Sequence, residues 1–138
     1  MPSVFSHAVA GVGIGAVFYR PGVPNRVWIA GAICAALPDI DVIGFSLGVR
    51  YGDFWGHRGF THSFVFAAMI AALMLIIFPH GAAGMSRALL WLYFFAATAS
   101  HSLLDAMTDG GLGVAFFSPF DTKRYFFRLR RCAWRLLA

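Results

Sequence analysis

Residues 64–78 read FVFAAMIAALMLIIF, an unbroken stretch without a charge. They form the apolar core of a longer run, residues 59–86, that lacks Asp, Glu, Lys and Arg. A membrane-crossing helix needs roughly 17–25 mostly apolar residues, and this run supplies them. Three other runs share the character: residues 1–19, residues 27–38 resuming at 42–49 beyond two aspartates, and residues 88–104. The first and last lie near the lower length limit, and the second spans only if it continues past Pro38. The pattern predicts an all-α, polytopic membrane bundle of about four transmembrane helices. Gly11 and Gly15, four apart, allow the first helix to approach a neighbour closely.

Composition points the same way. Hydrophobic residues make up 59% of the 138, charged residues 12%, and mean hydropathy is +0.72. Soluble domains carry about 25% charged residues, so a water-facing surface is hard to build from this chain. The length suits one domain. The apolar N-terminus has no basic start, which argues against a cleaved signal peptide. Cys34 and Cys132 are isolated and match no metal or redox spacing.

Net charge is +5, and six of the eleven Lys and Arg follow Thr122. Residues 1–122 are thus expected to form the membrane-embedded domain and residues 123–138 a basic C-terminal segment. Arg124, Arg128, Arg131 and Arg135 recur at helical spacing beside Tyr125, Leu129, Cys132 and Leu136. That is the pattern of a basic amphipathic helix lying on a membrane surface. Such a segment suits anionic headgroups or nucleic acid. The bilayer is the expected partner, with a soluble protein as a further one, and no direct nucleic-acid contact is expected. With four spans, both termini and the loop between the second and third helices share a side. That side holds eight basic residues against three, which predicts cytoplasmic termini.

The polar residues are few and gathered. There is no glutamate, and the acids are Asp39, Asp41, Asp53, Asp105, Asp109 and Asp121. In an up-down-up-down bundle, four segments deliver His7, Asp39 with Asp41, His57 with His62, and His101 with Asp105 to one membrane face. Ionisable groups near membrane depth are costly and usually functional, and a metal would offset their burial. His101 and Asp105, four apart, share a helix face. His57 and His62, five apart, do not, so loop or helix-start geometry must place at least one of them. Thr61 and Ser63 are candidate caps for the following helix, and Gly59 permits tight backbone geometry. Ser102 and Thr108 offer hydroxyls to orient ligands from behind. Arg58 is suited to clamp a phosphate or carboxylate, or to anchor the chain on the cytoplasmic side. His7 taken alone is more often structural than a ligand, and His80, beside Pro79, belongs to the opposite loop. Mixed His and Asp donors suit zinc, with manganese or iron as alternatives. A hydrolytic ion lowers the pKa of bound water to near 7 and polarises the target oxygen.

These pieces together resemble the YdjM-like family of predicted inner-membrane metal-dependent hydrolases. The matching parts are His7 with Gly11, Leu37-Pro38-Asp39-Ile40-Asp41, His57-Arg58-Gly59-Phe60-Thr61-His62-Ser63, and His101-Ser102-Leu103-Leu104-Asp105 with Thr108. Gly110-Gly111 and Ser118-Pro119-Phe120 fit its closing segment. The resemblance implies an all-helical domain of the bacterial inner membrane and a hydrolase. Some members are described as binding the repressor LexA. More distantly, the motif order is similar to zinc-dependent phospholipase C. That analogy implies Asp39, His62, His101 and Asp105 around one zinc, with His7 and Asp105 near a second. The later His and Glu of those enzymes are missing here, which favours one or two ions over three.

The expected function is a membrane-bound phosphoester hydrolase. Its candidate metal ligands are His7, Asp39, Asp41, His57, His62, His101 and Asp105, and its candidate catalytic groups are Asp39 and Arg58. A phospholipid is the favoured substrate, because the site would sit at headgroup depth. The alternative is a non-enzymatic membrane protein with a structural metal site that binds a soluble partner or anionic lipid. A transporter would need polar groups through the whole bilayer, and none stand on the Arg87 side.

Overall fold

The computed structural model describes residues 4–79, 82, 84–108 and 110–127. The helices are α1 (Val4–Val17), α2 (Asn25–Ala36), the short α3 (Ile43–Ser46), α4 (Phe64–Ile77) and α5 (Arg87–Ala106). Two 3-10 segments, Leu37–Val42 and Phe60–His62, stand before α3 and α4. Among the described residues there is no strand, only isolated bridges.

Pro38 shapes the middle of the chain. It lacks the N–H that would continue the α2 ladder, and there the helix tightens into 3-10 turns. The run does not stop. Asn25–Ser46 forms 22 helical residues of mean hydropathy 1.6, long and apolar enough to cross a bilayer. Among the described residues it alone meets both conditions, where the sequence predicts about four spans. Phe5–Val17 and Phe64–Ile77 are apolar but shorter. The third expected span contracts because Ser63 caps α4, its Oγ accepting from the Phe66 N–H at 3.1 Å. The chain before it is folded loop, and Pro79 follows the helix closely. Helix α5 has the length, 20 residues, but includes Ser, Thr, His and Asp.

Helix α5 is the centre, packing against α1, α2 and α4, while α1 also packs on α2. Small residues set the α1–α2–α5 distance. A Cβ on Gly11 would lie 2.7 Å from that of Ala35, and one on Gly15 would lie 3.0 Å from the Trp28 ring. A Cβ on Gly31 would fall 1.8 Å from the Tyr93 hydroxyl, so only glycine fits. The buried apolar set includes Val27, Cys34, Ala35, Ile70, Leu90, Tyr93 and Phe94. The polar set is buried too: His7, Asp41, His57, Arg58, His62, His101 and Asp105. Large apolar side chains such as Phe5, Val9, Ile29, Ile33 and Ile76 face outward. An exterior this apolar around a polar interior suits a bilayer as solvent.

The C-terminal segment departs from its sequence pattern where it is described. Residues 123–127 are not helical: Tyr125 pairs with Val114 in a two-way backbone bridge, and the Phe127 N–H donates to the Ala106 carbonyl. Arg124 turns inward rather than joining a basic stripe. Tertiary hydrogen bonds override the local period here. The rest of the predicted amphipathic helix, residues 128–138, lies outside the described residues, as do His80 and Asp109.

Candidate metal centre

Three places in the fold meet at one point. The 3-10 segment after α2 carries Asp39 and Asp41, the 3-10 segment before α4 carries His62, and the last turns of α5 carry His101 and Asp105. At three residues per turn, positions two apart point to different sides. Asp39 and Asp41 accordingly flank His62 from opposite directions.

Four atoms converge. His101 Nε2 lies 3.3 Å from Asp39 Oδ1 and 3.9 Å from Asp105 Oδ2. His62 Nε2 lies 3.4 Å from Asp105 Oδ2 and 4.0 Å from Asp39 Oδ1. The four atoms all lie within 4.8 Å of one another. Donors bound about 2.0–2.1 Å from a tetrahedral zinc stand roughly 3.3 Å apart, close to this spacing. His62 and His101 are fully buried, Asp105 nearly so, and the Asp39 side chain is 19% exposed.

The far sides of both rings fix their tautomers. His101 Nδ1 donates to the Ala35 carbonyl at 2.7 Å. His62 Nδ1 faces Asp41 Oδ2 at 3.2 Å and Thr61 Oγ at 3.1 Å. With a proton on each Nδ1, each Nε2 turns a lone pair toward two carboxylate oxygens. His62 Nε2, His101 Nε2 and Asp105 Oδ2 are buried without a hydrogen-bond partner. Acceptors aimed at one another in a dry interior repel unless a cation stands between them. Imidazoles backed by a carboxylate or a carbonyl are the usual support for metal-binding histidines. The residues therefore fit a divalent ion.

Asp41 and His57 stand one layer out. Asp41 Oδ1 meets His57 Nδ1 at 2.7 Å, while Oδ2 accepts from the Thr61 hydroxyl at 2.6 Å and the Arg58 N–H at 3.3 Å. Asp41, His57 and His62 form a second cluster of donor atoms, but Asp41 is already satisfied by these contacts. Thr61, considered above as a helix cap, instead holds Asp41, and Ser63 is the cap. His7 on α1 stacks on His101, ring centroids 3.6 Å apart, with Nε2 3.6 Å from Asp105 Oδ1. Both His7 nitrogens are buried without a hydrogen-bond partner.

Arg58 is fully buried and takes a left-handed backbone, φ 63°. Its Nε lies 3.0 Å from Asp105 Oδ2. Its terminal nitrogens donate to Thr108 Oγ at 3.1 Å and to the Gly110 carbonyl. Thr108 in turn donates to the Asp105 carbonyl at 2.8 Å. The guanidinium thus faces protein on three sides.

Sequence reasoning missed two groups. The Ala35 carbonyl lies one turn before Asp39, and no backbone acceptor is visible in a residue pattern. Arg124 looked like a surface cation, yet it donates to the carbonyls of His57, Gly113, Tyr51 and Asp53 at 3.1–3.5 Å and stacks over the Tyr51 ring.

Comparison with known proteins gives two matches. The family described as YdjM inner membrane protein matches residues 1–138. The inner membrane protein YbcI of Escherichia coli (strain K12) is 43% identical over 127 residues, 91% of this chain and 72% of that protein. No solved structure matches.

Proposed function

This chain belongs to the YdjM inner membrane protein family, and from that premise we propose that it is a membrane-bound, metal-dependent hydrolase of phosphoesters. One observation carries the reading: donor atoms of Asp39, His62, His101 and Asp105 all lie within 4.8 Å of one another, and those of His62, His101 and Asp105 are buried without a hydrogen-bond partner. A divalent ion, zinc or manganese, would be held by these four, and would supply Lewis acidity and an acidified water. Asp41 and the Ala35 carbonyl keep the two rings turned inward. Arg58 keeps Asp105 in place. Because Arg58 already faces protein on three sides, its role is positioning rather than contact with substrate. Asp39 is the donor nearest the outside, the side from which a substrate oxygen arrives. His7 supports the His101 ring by stacking, and a second ion between His7 and Asp105 extends the proposal.

The proposed membrane arrangement is multi-pass with cytoplasmic termini, the four main helices sharing one bilayer and the centre at headgroup depth. The apolar exterior of α1, α2 and α4 supports it.

A second reading is favoured by the number of donors. Four protein ligands close a structural site, whereas a catalytic site keeps one position for water. Elemental analysis of the detergent-purified protein and of Asp105→Ala tests the metal, with one or two ions per chain expected and a loss in the variant. X-ray absorption then separates the readings: a water oxygen in addition to the protein donors supports the hydrolase, and a closed four-donor shell supports the structural site. A metal-loaded sample that cleaves neither phospholipid nor a generic phosphodiester would sink the hydrolase.

A further inference from the structure

Arg58 holds a left-handed backbone, φ 63°, although it is neither glycine nor asparagine. A residue with a bulky side chain is disfavoured there, and such a conformation persists where its surroundings over-determine it. The surroundings of Arg58 do so group by group. In the peptide before it, the His57 carbonyl accepts from Arg124 Nη1 at 3.1 Å, and the Arg58 N–H donates to Asp41 Oδ2 at 3.3 Å. In the peptide after it, the Arg58 carbonyl accepts from the Ala115 N–H at 3.1 Å, and the Gly59 N–H donates to the Gly56 carbonyl at 2.9 Å. Every backbone polar group flanking the residue is thus engaged.

Arg124 and Ala115 both belong to the closing segment, residues 113–125. That segment is itself fixed: Val114 and Tyr125 exchange both backbone hydrogen bonds, and the Phe64 N–H donates to the Phe116 carbonyl at 2.9 Å. The other donors of Arg124 reach the carbonyls of Tyr51, Asp53 and Gly113. The loop it grips has no slack. A Cβ on Gly56 would lie 2.2 Å from the Arg50 carbonyl oxygen, and one on Gly59 would lie 2.4 Å from that of Phe54. With both peptides held, φ sets the direction of the Arg58 side chain, and from that direction its Nε meets Asp105 Oδ2 at 3.0 Å.

We infer that Arg124 is a positioning residue for the metal centre: it pins the His57 carbonyl, and so holds Arg58 in the conformation that brings its guanidinium to Asp105. The closing segment carries none of the four converging donors, yet it sets the support of one of them. The consequence for metal binding rests on reading Asp39, His62, His101 and Asp105 as an ion site; the link from Arg124 to Arg58 does not. An Arg124 that only braced the loop would leave the Arg58 guanidinium in place, because Thr108 and Gly110 hold it from the other end.

The test uses the full chain in detergent micelles, labelled with nitrogen-15 arginine, with and without zinc. The Arg58 Nε–H signal is identified by its loss in Arg58→Lys, and its exchange with solvent is followed by NMR. Arg124→Met keeps a stem against the Tyr51 ring and removes the donors. In the metal-free protein it is expected to make the Arg58 Nε–H exchange about tenfold faster, the mark of a local opening. Zinc affinity, measured by chelator competition, is expected to fall about tenfold, the lower end of the range for partners that orient ligands from behind. Lys123→Met removes an equal charge from the exposed neighbouring position and is expected to change neither. Should Arg124→Met fail to fold, Arg124→Lys, which keeps the charge but not the planar fork, gives the same two readings. An Arg58 signal indifferent to loss of the Arg124 donors, or zinc bound with unchanged affinity, would overturn the inference. A response of the Arg58 signal in a protein that takes up no zinc would uphold the link and defeat the metal centre. Zinc binding that is lost in Arg58→Lys but untouched by Arg124→Met would do the reverse.

Discussion

His62 and Asp41 stand 3.2 Å apart, nitrogen to oxygen, on the side of the imidazole that faces away from the convergence of donors. One ring thereby joins the two 3-10 segments and carries the orientation set by Asp41 into the centre. Asp41 is held by Thr61, His57 and the Arg58 backbone as well, so the orientation is rigid.

Asp41→Asn keeps the shape of this support and removes its charge. The expected result is a 10–100-fold loss of metal affinity, the usual cost of removing such a partner, with helix content unchanged. Competition with a graded set of chelators measures it. Unchanged affinity would show that Asp41 does not orient His62.

Arg58 serves Asp105, Thr108 and Gly110 in three directions from one planar group. Lysine offers a single point charge on a flexible stem. Arg58→Lys is therefore expected to weaken metal binding and lower the thermal midpoint. Arg58→Met, which leaves Asp105 without its buried counter-charge, should cost about 3–5 kcal/mol. Thermal unfolding in detergent, with and without metal, gives the order. A lysine variant equal to the parent would reduce Arg58 to a charge.

Arg124 ties residues 51–57 to the C-terminal segment through the carbonyls of Tyr51, Asp53 and His57. Hydrogen bonds to charged groups contribute about 1.5–3 kcal/mol each when well formed. Arg124→Ala is expected to open this loop locally, seen as faster amide exchange over residues 51–59 while α5 stays protected. Exchange that rises everywhere would mean that Arg124 supports the whole fold rather than the loop.

Gly31 and Tyr93 test the packing beneath the site. Gly31→Ala places a methyl against the Tyr93 hydroxyl and ring, and overpacking of this kind costs about 1–3 kcal/mol. The Tyr93 hydroxyl is buried without a hydrogen-bond partner, so Tyr93→Phe should be neutral or stabilising. The double variant should recover part of the Gly31→Ala loss, and a double-mutant cycle from unfolding midpoints reports the coupling. Strict additivity would place the two residues out of contact.

The sequence alone determined the membrane class, the helical fold and the inventory of donors. These follow from local chemistry: uncharged runs, four-residue spacing such as His101 with Asp105, and the absence of glutamate. It also showed that His57 and His62 could not share a helix face. The resemblance implied that Asp39, His62, His101 and Asp105 meet; only the tertiary structure decided how they are brought together and which groups back them. Asp39 and Asp41 look equivalent in sequence, but the turn imposed after Pro38 sends them to opposite sides of His62, one toward the converging donors and the other behind the ring. Arg58, read as a clamp for a phosphate or carboxylate, meets the Asp105 carboxylate at 3.0 Å and is enclosed by Thr108 and Gly110. Arg124, read as part of a surface stripe, is drawn inward by backbone carbonyls. Helical period is a property of neighbours along the chain. The meeting of a 3-10 turn, a loop and the end of α5 is a property of packing, and no spacing along the chain encodes it.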